Sequence, residues 1–415
     1  MQIAKPDALK DALAAVPRDH RIYLAGCAGE PTATLDILAT DPDLGAGRRF
    51  TGVWLPGVNT RNVIADGASA DVFFVTPALR EAFGAGRVRH RPLGYPEIWR
   101  WLGQEAAQMT AFVSVTPPRD GQVGLGPTAD FTPALIAGGA RLIGEVNPEL
   151  PEPRHGVRIP VDRFDLMVEA PNAPITYDTA ADDPNVDAIA EAVAAMVDDG
   201  DTVQFGIGRI QAALALWLAG HRDLAVHGGM ITTALTPALE SGAISRGVVT
   251  GVALGSQAFY RLIASRDDVR FKPASFTHGA GVLAGIDRLF SVASALEIDL
   301  FGQVNAEMAG GRQVSGHGGI ADFARGALAS RGGRSIVALP ATAKRGGVSR
   351  IRPVLGPDSV CSIARGDVDI VVTEHGVARL RGSDIDQRAQ SLIAIAGPQF
   401  RDGLADEWGR MRARL

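Results

Sequence analysis

The sequence predicts an α/β fold in two domains. Short β-branched or aromatic runs alternate with Ala/Leu-rich amphipathic stretches through most of the chain, the pattern of βα units on a largely parallel sheet. The 415 residues exceed one ordinary core, since domains run to roughly 150 residues each. The texture also breaks once, between Asn147 and Pro184, where PELPEPRHG and APNAPITYDTAADDP bring many prolines and little helical periodicity. That stretch reads as an interdomain crossover, so the expected domains are 1–180 and 184–415.

In the first domain the apolar runs place strands near Ile22–Ala25, Thr51–Leu55, Asp71–Val75, Ala111–Val115 and Arg141–Val146. Helices fall near Pro31–Ala39, Pro77–Phe83 and Pro96–Ala107, each opening at a proline whose missing N–H costs nothing in a first turn. The second domain restarts with a helix over Asn185–Val197, a turn at Asp198-Asp199-Gly200-Asp201 and a strand at Thr202–Phe205. The loop GIGRI follows, and then a helix over Gln211–Ala219. No self-similarity between the halves is visible residue by residue.

Composition narrows the function. Hydrophobic residues make up 46% and charged residues 21%, which excludes a disordered chain. With 41 Lys+Arg against 46 Asp+Glu the net charge is −5, so no positive field exists to hold nucleic acid or an anionic membrane. The tail arginines 410, 412 and 414 read as the solvated face of a last helix. Two cysteines, Cys27 and Cys361, cannot form a disulfide framework, and no CxxC or HExxH offers metal-ligand spacing. Charged residues in the first sixteen positions and the lack of an apolar run near about 18 residues point to a cytoplasmic protein without a membrane span.

Three glycine-rich stretches could carry chemistry. Gly206-Ile207-Gly208 lies between a predicted strand and helix, where bare backbone and free N–H groups can hold an anion or oxyanion. It is not a dinucleotide fingerprint, because Gln211 stands where the third glycine belongs, and it also reads as a plain tight turn. Gly316-His317-Gly318-Gly319, after the acidic segment Glu297–Glu307, could form a nest for negative charge or a surface crossover. Lys344-Arg345-Gly346-Gly347 could grip a phosphate or be a solvated turn. The triplets His227-Gly228-Gly229 and His317-Gly318-Gly319 match an oxyanion strip of lipase-like hydrolases, but no GxSxG elbow accompanies them. Of the eight histidines, His227 at a predicted strand end and His278 in the polar break Thr277-His278-Gly279 stand out.

Together these stretches resemble the acetyl-CoA hydrolase/transferase family, which includes 4-hydroxybutyrate, butyrate and succinyl-CoA:acetate CoA-transferases. The resemblance runs nearly end to end, through GCAGEP at Gly26–Pro31, EVNPELP at Glu145–Pro151, GIG at Gly206–Gly208, SALEIDLFGQVNAE at Ser294–Glu307 and SGHGGIADF at Ser315–Phe323. It continues through ALPATAKRGGVSRI and IVVTEHGVARLRG to RAQSLIAIAGPQFRDGL. It implies two CoA-transferase-type α/β domains with the active site in the cleft between them, and a homodimer or higher homo-oligomer. Acyl-CoA and a small carboxylic acid would be the partners, CoA a substrate, and no cofactor or metal permanently bound.

In the family a glutamate carboxylate attacks the thioester, giving an anhydride and then a glutamyl-CoA thioester. The resemblance assigns oxyanion stabilisation to Ile207, Gly318 and Gly319, and CoA contacts to Gly206, Gly208, Gly316, Lys344 and Arg345. The nucleophile should stand where this chain reads Val226-His227-Gly228-Gly229-Met230, which puts Gly229 in its place. An active-site asparagine of the family aligns with His278. No acid lies between Asp223 and Glu240, which leaves Glu297 or Glu307 as a relocated nucleophile. The expected activity is CoA transfer. Hydrolysis of the thioester is the alternative that the glycine favours, non-catalytic CoA binding a second, and a carbon–carbon lyase acting on CoA esters a third.

Overall fold

The computed structural model describes residues 2–65, 67–178 and 183–415. Contacts divide the chain into two compact units: the first holds Met1–Asp178, Val249–Thr277 and Val314–Gly318, the second the remainder. A single cut near residue 180 would therefore misplace two segments. Residues 249–277 pack with the first unit: Ala129 N–H bonds the Gly251 carbonyl at 2.8 Å, and the Tyr260 hydroxyl donates to the Ile175 carbonyl at 2.6 Å.

The first unit is built on seven strands: β1 (Arg21–Leu24), β2 (Arg49–Gly52), β3 (Ser69–Val72), β4 (Val88–His90), β5 (Met109–Val115), β6 (Arg141–Val146) and β7 (Leu166–Glu169). Their order in the sheet is β4-β3-β2-β1-β5-β6-β7, every pair parallel. A parallel sheet covered on both faces needs apolar strands, and all seven residues of β5 are buried. Ile22, Phe50, Phe112 and Ile143 form its core with Leu9 and Leu13 from an N-terminal helix. Helix α1 spans Thr32–Thr40 and α2 spans Tyr95–Glu105. The stretch expected as a helix from Pro77 is a 3-10 turn, Pro77–Leu79, followed by the short helix Arg80–Gly84.

The crossover expected between Asn147 and Pro184 proves partly structured. Leu166–Glu169 is the edge strand of the first sheet, pairing with β6. Its apolar core, Leu166-Met167-Val168, was too short to stand out among flanking prolines.

The second unit opens with α3 (Pro184–Ala194), where the Asp183 side chain accepts from the Asn185 N–H at 3.1 Å and so caps the first turn. Its strands are β8 (Thr202–Phe205), β9 (Leu224–Thr232), β10 (Ile244–Leu254, which runs on into the first unit), β11 (Leu289–Ser294), β12 (Arg334–Ala338), β13 (Ile370–Thr373) and β14 (Gly376–Arg379). They run β10-β9-β8-β11-β12-β13-β14 in an eight-stranded sheet, whose remaining strand, Val269–Phe271, lies on the outer edge of β10. Helix α4 is Arg209–Trp217, beginning two residues before the expected start, and α5 is Ile320–Ala329. The last helix, Arg401–Arg412, pairs Arg410 with Glu407 and Arg412 with Asp386. In both sheets the chain starts in the middle, moves outward on one side and returns to the other, so a topology is repeated that the residues themselves do not show.

Glu145 in β6 illustrates how the fold burdens a carboxylate. It is fully buried and accepts from the Thr34 N–H at 2.7 Å, the Thr34 hydroxyl at 2.5 Å and the Ala33 N–H at 3.1 Å, which ties β6 to the first turn of α1. Burial outweighs these bonds and pushes its pKa up to about 7. Because the folded-state value lies above the unfolded one, its contribution is fully present below about pH 4.5 and is lost as pH rises through about 7. Urea unfolding at pH 5 and pH 8 should therefore show wild type losing up to about 3 kcal/mol relative to Glu145→Gln over that span. Parallel pH dependences in the two proteins would contradict the assignment.

Candidate functional site

In an open parallel sheet, ligands bind outside the carboxyl ends of the strands where the strand order reverses. In the second unit the reversal falls between β8 and β11. The loop Gly206-Ile207-Gly208 leaves β8 at that point, and Ser294 ends β11 beside it. Gly208 has φ 129° and forms the N-cap of α4, a conformation that glycine adopts and other residues resist. Gln211, one turn into α4, is 3% exposed, and its amide contacts Ser294. In the orientation that satisfies both its ends it donates to the Ile207 carbonyl at 3.3 Å and accepts from the Ser294 N–H at 3.3 Å. A Cβ on Gly208 would lie 2.9 Å from that amide.

His227, Gly228 and Gly229 lie in β9, next to β8 in the sheet. His227 is buried at 5% exposure and sits in the body of the strand rather than at its expected end. A Cβ on Gly228 would meet Gln204 Cγ and the Phe205 carbonyl oxygen, each at 3.7 Å, so this part of β9 runs beside the root of the GIG loop. Gly229 is half-buried in extended backbone.

His278 occupies the break between the short helices Ala274–Thr277 and Ala280–Ala284. Its ring is 3% exposed and tilts against Phe323 of α5 with centroids 4.5 Å apart. It also abuts Gly319, the N-cap of α5, where an added Cβ would sit 2.3 Å from Cδ2 and 2.4 Å from Nε2. Burial, reinforced by nearby His227, pushes its pKa down to about 3, so the imidazole is neutral in any ordinary buffer. The second unit thus gathers the GIG loop, His227 with its two glycines, and His278 with Gly319.

The other motif residues are bound into the scaffold. In the first unit the reversal point lies between β1 and β5, and GCAGEP leaves β1 there. A Cβ on Gly26 would lie 1.9 Å from the Val53 carbonyl oxygen, which leaves room only for glycine. Asn59 accepts from the Cys27 N–H at 3.2 Å and the Leu55 N–H at 3.0 Å and donates to Glu30 at 2.5 Å. Gly316 is equally confined, 1.9 Å from the Phe73 carbonyl oxygen at its missing Cβ, and Gly318 has φ 59° against Phe74. Glu307, 5% exposed, accepts from the Ser362 hydroxyl at 2.8 Å and Gln313 at 3.5 Å. Glu297 accepts from Ser359 at 2.6 Å and Asn305 at 3.1 Å. Both carboxylates therefore hold their own loops. Lys344 and Arg345, with φ 50° and 55°, form the exposed tip of a hairpin between Thr342–Ala343 and Val348–Ser349.

Sequence reasoning passed over Gln211 as a site residue, along with Ser294, Gln204 and Asn59. Gln211 carried one signal, a polar residue on the inward face of an otherwise apolar helix. Among the described residues no group of three or more His, Cys, Asp and Glu could hold a metal ion, and no helix is long and apolar enough to cross a membrane.

The sequence pattern described as acetyl-CoA hydrolase/transferase C-terminal domain matches residues 255–408. A 4-hydroxybutyrate coenzyme A transferase of Clostridium kluyveri is 30% identical over 409 residues, covering 96% of this chain and 95% of that protein. The crystal structure of RipA from Yersinia pestis superimposes with a TM-score of 0.88 at 26% identity, covering 99% of this chain and 98% of that one. A 4-hydroxybutyrate CoA-transferase from Porphyromonas gingivalis gives a TM-score of 0.78 at 28% identity, covering 98% and 97%. The chain therefore belongs to the acetyl-CoA hydrolase/transferase family of enzymes.

Proposed function

We propose that this chain transfers CoA from a short-chain acyl-CoA to a carboxylic acid by direct attack of the acceptor. One observation carries the reading: the two-glycine loop at the reversal point of the sheet leaves β8 beside a strand that bears glycine, Gly229, where the resemblance calls for a nucleophilic glutamate. With no side chain there to acylate, the carboxylate must come from the substrate. The acceptor carboxylate attacks the thioester carbonyl, the C–S bond breaks, and a mixed anhydride and CoA thiolate form. The thiolate then attacks the acceptor-derived carbonyl and releases the donor acid. The N–H groups at Ile207–Gly208 and Gly319 stabilise the oxyanions, and Lys344 and Arg345 meet the CoA phosphates. CoA is a substrate, no cofactor is bound permanently, and the chain works in the cytoplasm as a homodimer or higher homo-oligomer.

Hydrolysis is the second reading, favoured by two buried imidazoles in the same unit as Gly229. In that case His227 is the base that activates water. His278, with its pKa at about 3, is too weak a base for the task and serves as a neutral hydrogen-bonding wall.

Mass spectrometry after incubation with several acyl-CoAs and acetate separates the readings. Direct transfer gives a new acyl-CoA with no CoA bound covalently to the protein, and CoA release that requires both substrates together. Hydrolysis gives free CoA without an acceptor, and a binding protein leaves the substrates intact. In each case a ligand at 100 times its dissociation constant should stabilise the fold by about 2.7 kcal/mol. If CoA and every acyl-CoA tested leave the melting temperature unmoved, the ligand class is wrong.

A further inference from the structure

We propose that Gln211 is the positioning residue of the oxyanion loop: its buried amide, clamped between Ser294 and the Ile207 carbonyl, aims the Gly208 N–H at the reacting thioester. The inference rests on the reading of Gly206–Gly208 as the oxyanion loop and assigns its orientation to one side chain.

A loop with two glycines in three residues has little preference of its own. Gly206 is exposed, and a Cβ there would meet nothing within 4 Å, so packing does not fix the loop at that end. Orientation has to come from a hydrogen bond. Gln211 supplies it by donating to the Ile207 carbonyl, while its oxygen accepts from the Ser294 N–H and hydroxyl. A trans peptide is planar with C=O and N–H opposed. Holding the Ile207 oxygen toward Gln211 therefore turns the Gly208 N–H the other way, out of the loop. Released, the same peptide could rotate and present a carbonyl oxygen, which repels an oxyanion. The clamp reaches from α4, which follows the loop leaving β8, to the end of β11, the strand on the other side of the reversal point. Gly208 completes the fit, because any Cβ there would press into the amide.

The test compares Gln211→Leu, which keeps the bulk without hydrogen bonds, and Gln211→Glu, which keeps the acceptor to Ser294 but cannot donate to Ile207. Steady-state turnover of an acyl-CoA, thermal melting, and hydrogen exchange of the peptide covering residues 204–210 are measured on the full chain. Both variants should lose about 100-fold in kcat with KM within about threefold, since a misaligned donor is missed mainly in the transition state. Melting temperatures should stay near wild type while exchange at residues 207–208 quickens. Unchanged kcat in Gln211→Leu overturns the proposal. So does a joint loss of kcat, KM and melting temperature, which would make Gln211 a packing residue. If wild type turns over no acyl-CoA, the oxyanion reading itself has failed. Exchange then still decides whether Gln211 holds the loop: faster exchange confined to it supports the clamp, and unchanged exchange removes it.

Discussion

Gly319→Ala should cost about 1–3 kcal/mol in stability and remove most acyl-CoA turnover, although it adds a single methyl group at an ordinary backbone conformation. Gly319 has φ −99° and ψ 8°, so the backbone accepts any residue, and the effect must come from what the methyl group strikes. It strikes the His278 ring, at 2.3 Å and 2.4 Å from two of its atoms, with Phe323 Cε2 at 3.5 Å behind. The ring is 3% exposed and packs against Phe323, and a contact of 2.3 Å cannot stand, so either the imidazole or the start of α5 must shift. Either movement disturbs a proposed oxyanion donor and its neighbouring wall together. The cause is checked by adding His278→Ala. The double variant should recover stability, because the methyl group then fills part of the vacated volume, yet it should stay inactive. Urea unfolding measures the coupling. A Gly319→Ala protein as stable as wild type would show that the ring and the N-cap are not in the contact described.

How far the sequence discloses this architecture depends on how local each signal is. Strands buried on both faces, such as Met109–Val115, are apolar throughout and are legible on sight. The edge strand Leu166–Glu169 was missed because three apolar residues between proline-rich flanks carry no periodicity. The assignment of residues 249–277 to the first unit is a long-range fact, written in contacts such as Ala129 with Gly251, and no window of sequence contains it. The repeated strand order was invisible for the same reason, since topology can persist when residues do not. At the site, glycine positions were legible because close approach and positive φ admit little else, as at Gly208 and Gly316. What those glycines make room for was not. The His278 ring on Gly319 and the Gln211 amide on Ile207 join residues whose partners only folding selects. Glu307 is a further case: the sequence shows a carboxylate beside a glycine loop, and only the fold shows that it accepts from Ser362 and Gln313.

Gly229→Glu should convert the protein into an enzyme that forms a covalent CoA thioester. The position lies in the strand β9, whose extended backbone fits any side chain, and replacing a strand glycine removes an entropic cost rather than adding strain. It is half-buried, and because successive residues of a strand face opposite sides, its side chain would project on the face opposite that of Gly228. A carboxylate at 229 would extend from the strand adjoining β8, next to the root of the GIG loop. There it could attack a bound thioester, release CoA thiolate as the anhydride forms, and be attacked in turn to give a glutamyl-CoA thioester. The variant should therefore show ping-pong kinetics with an acyl-CoA and acetate, and a CoA adduct mapping to residue 229. Wild type should show no adduct at that residue whatever its activity, and should require both substrates before CoA leaves. The contrast isolates the role of one side chain, because the loop, the imidazoles and the CoA contacts are common to both proteins. A folded Gly229→Glu protein that binds acyl-CoA, shown by thermal shift, but forms no adduct would sink the placement of the nucleophile site at β9. His227, His278 and Glu307 would then be replaced in turn, and loss of turnover at Glu307 alone would locate the nucleophile there instead.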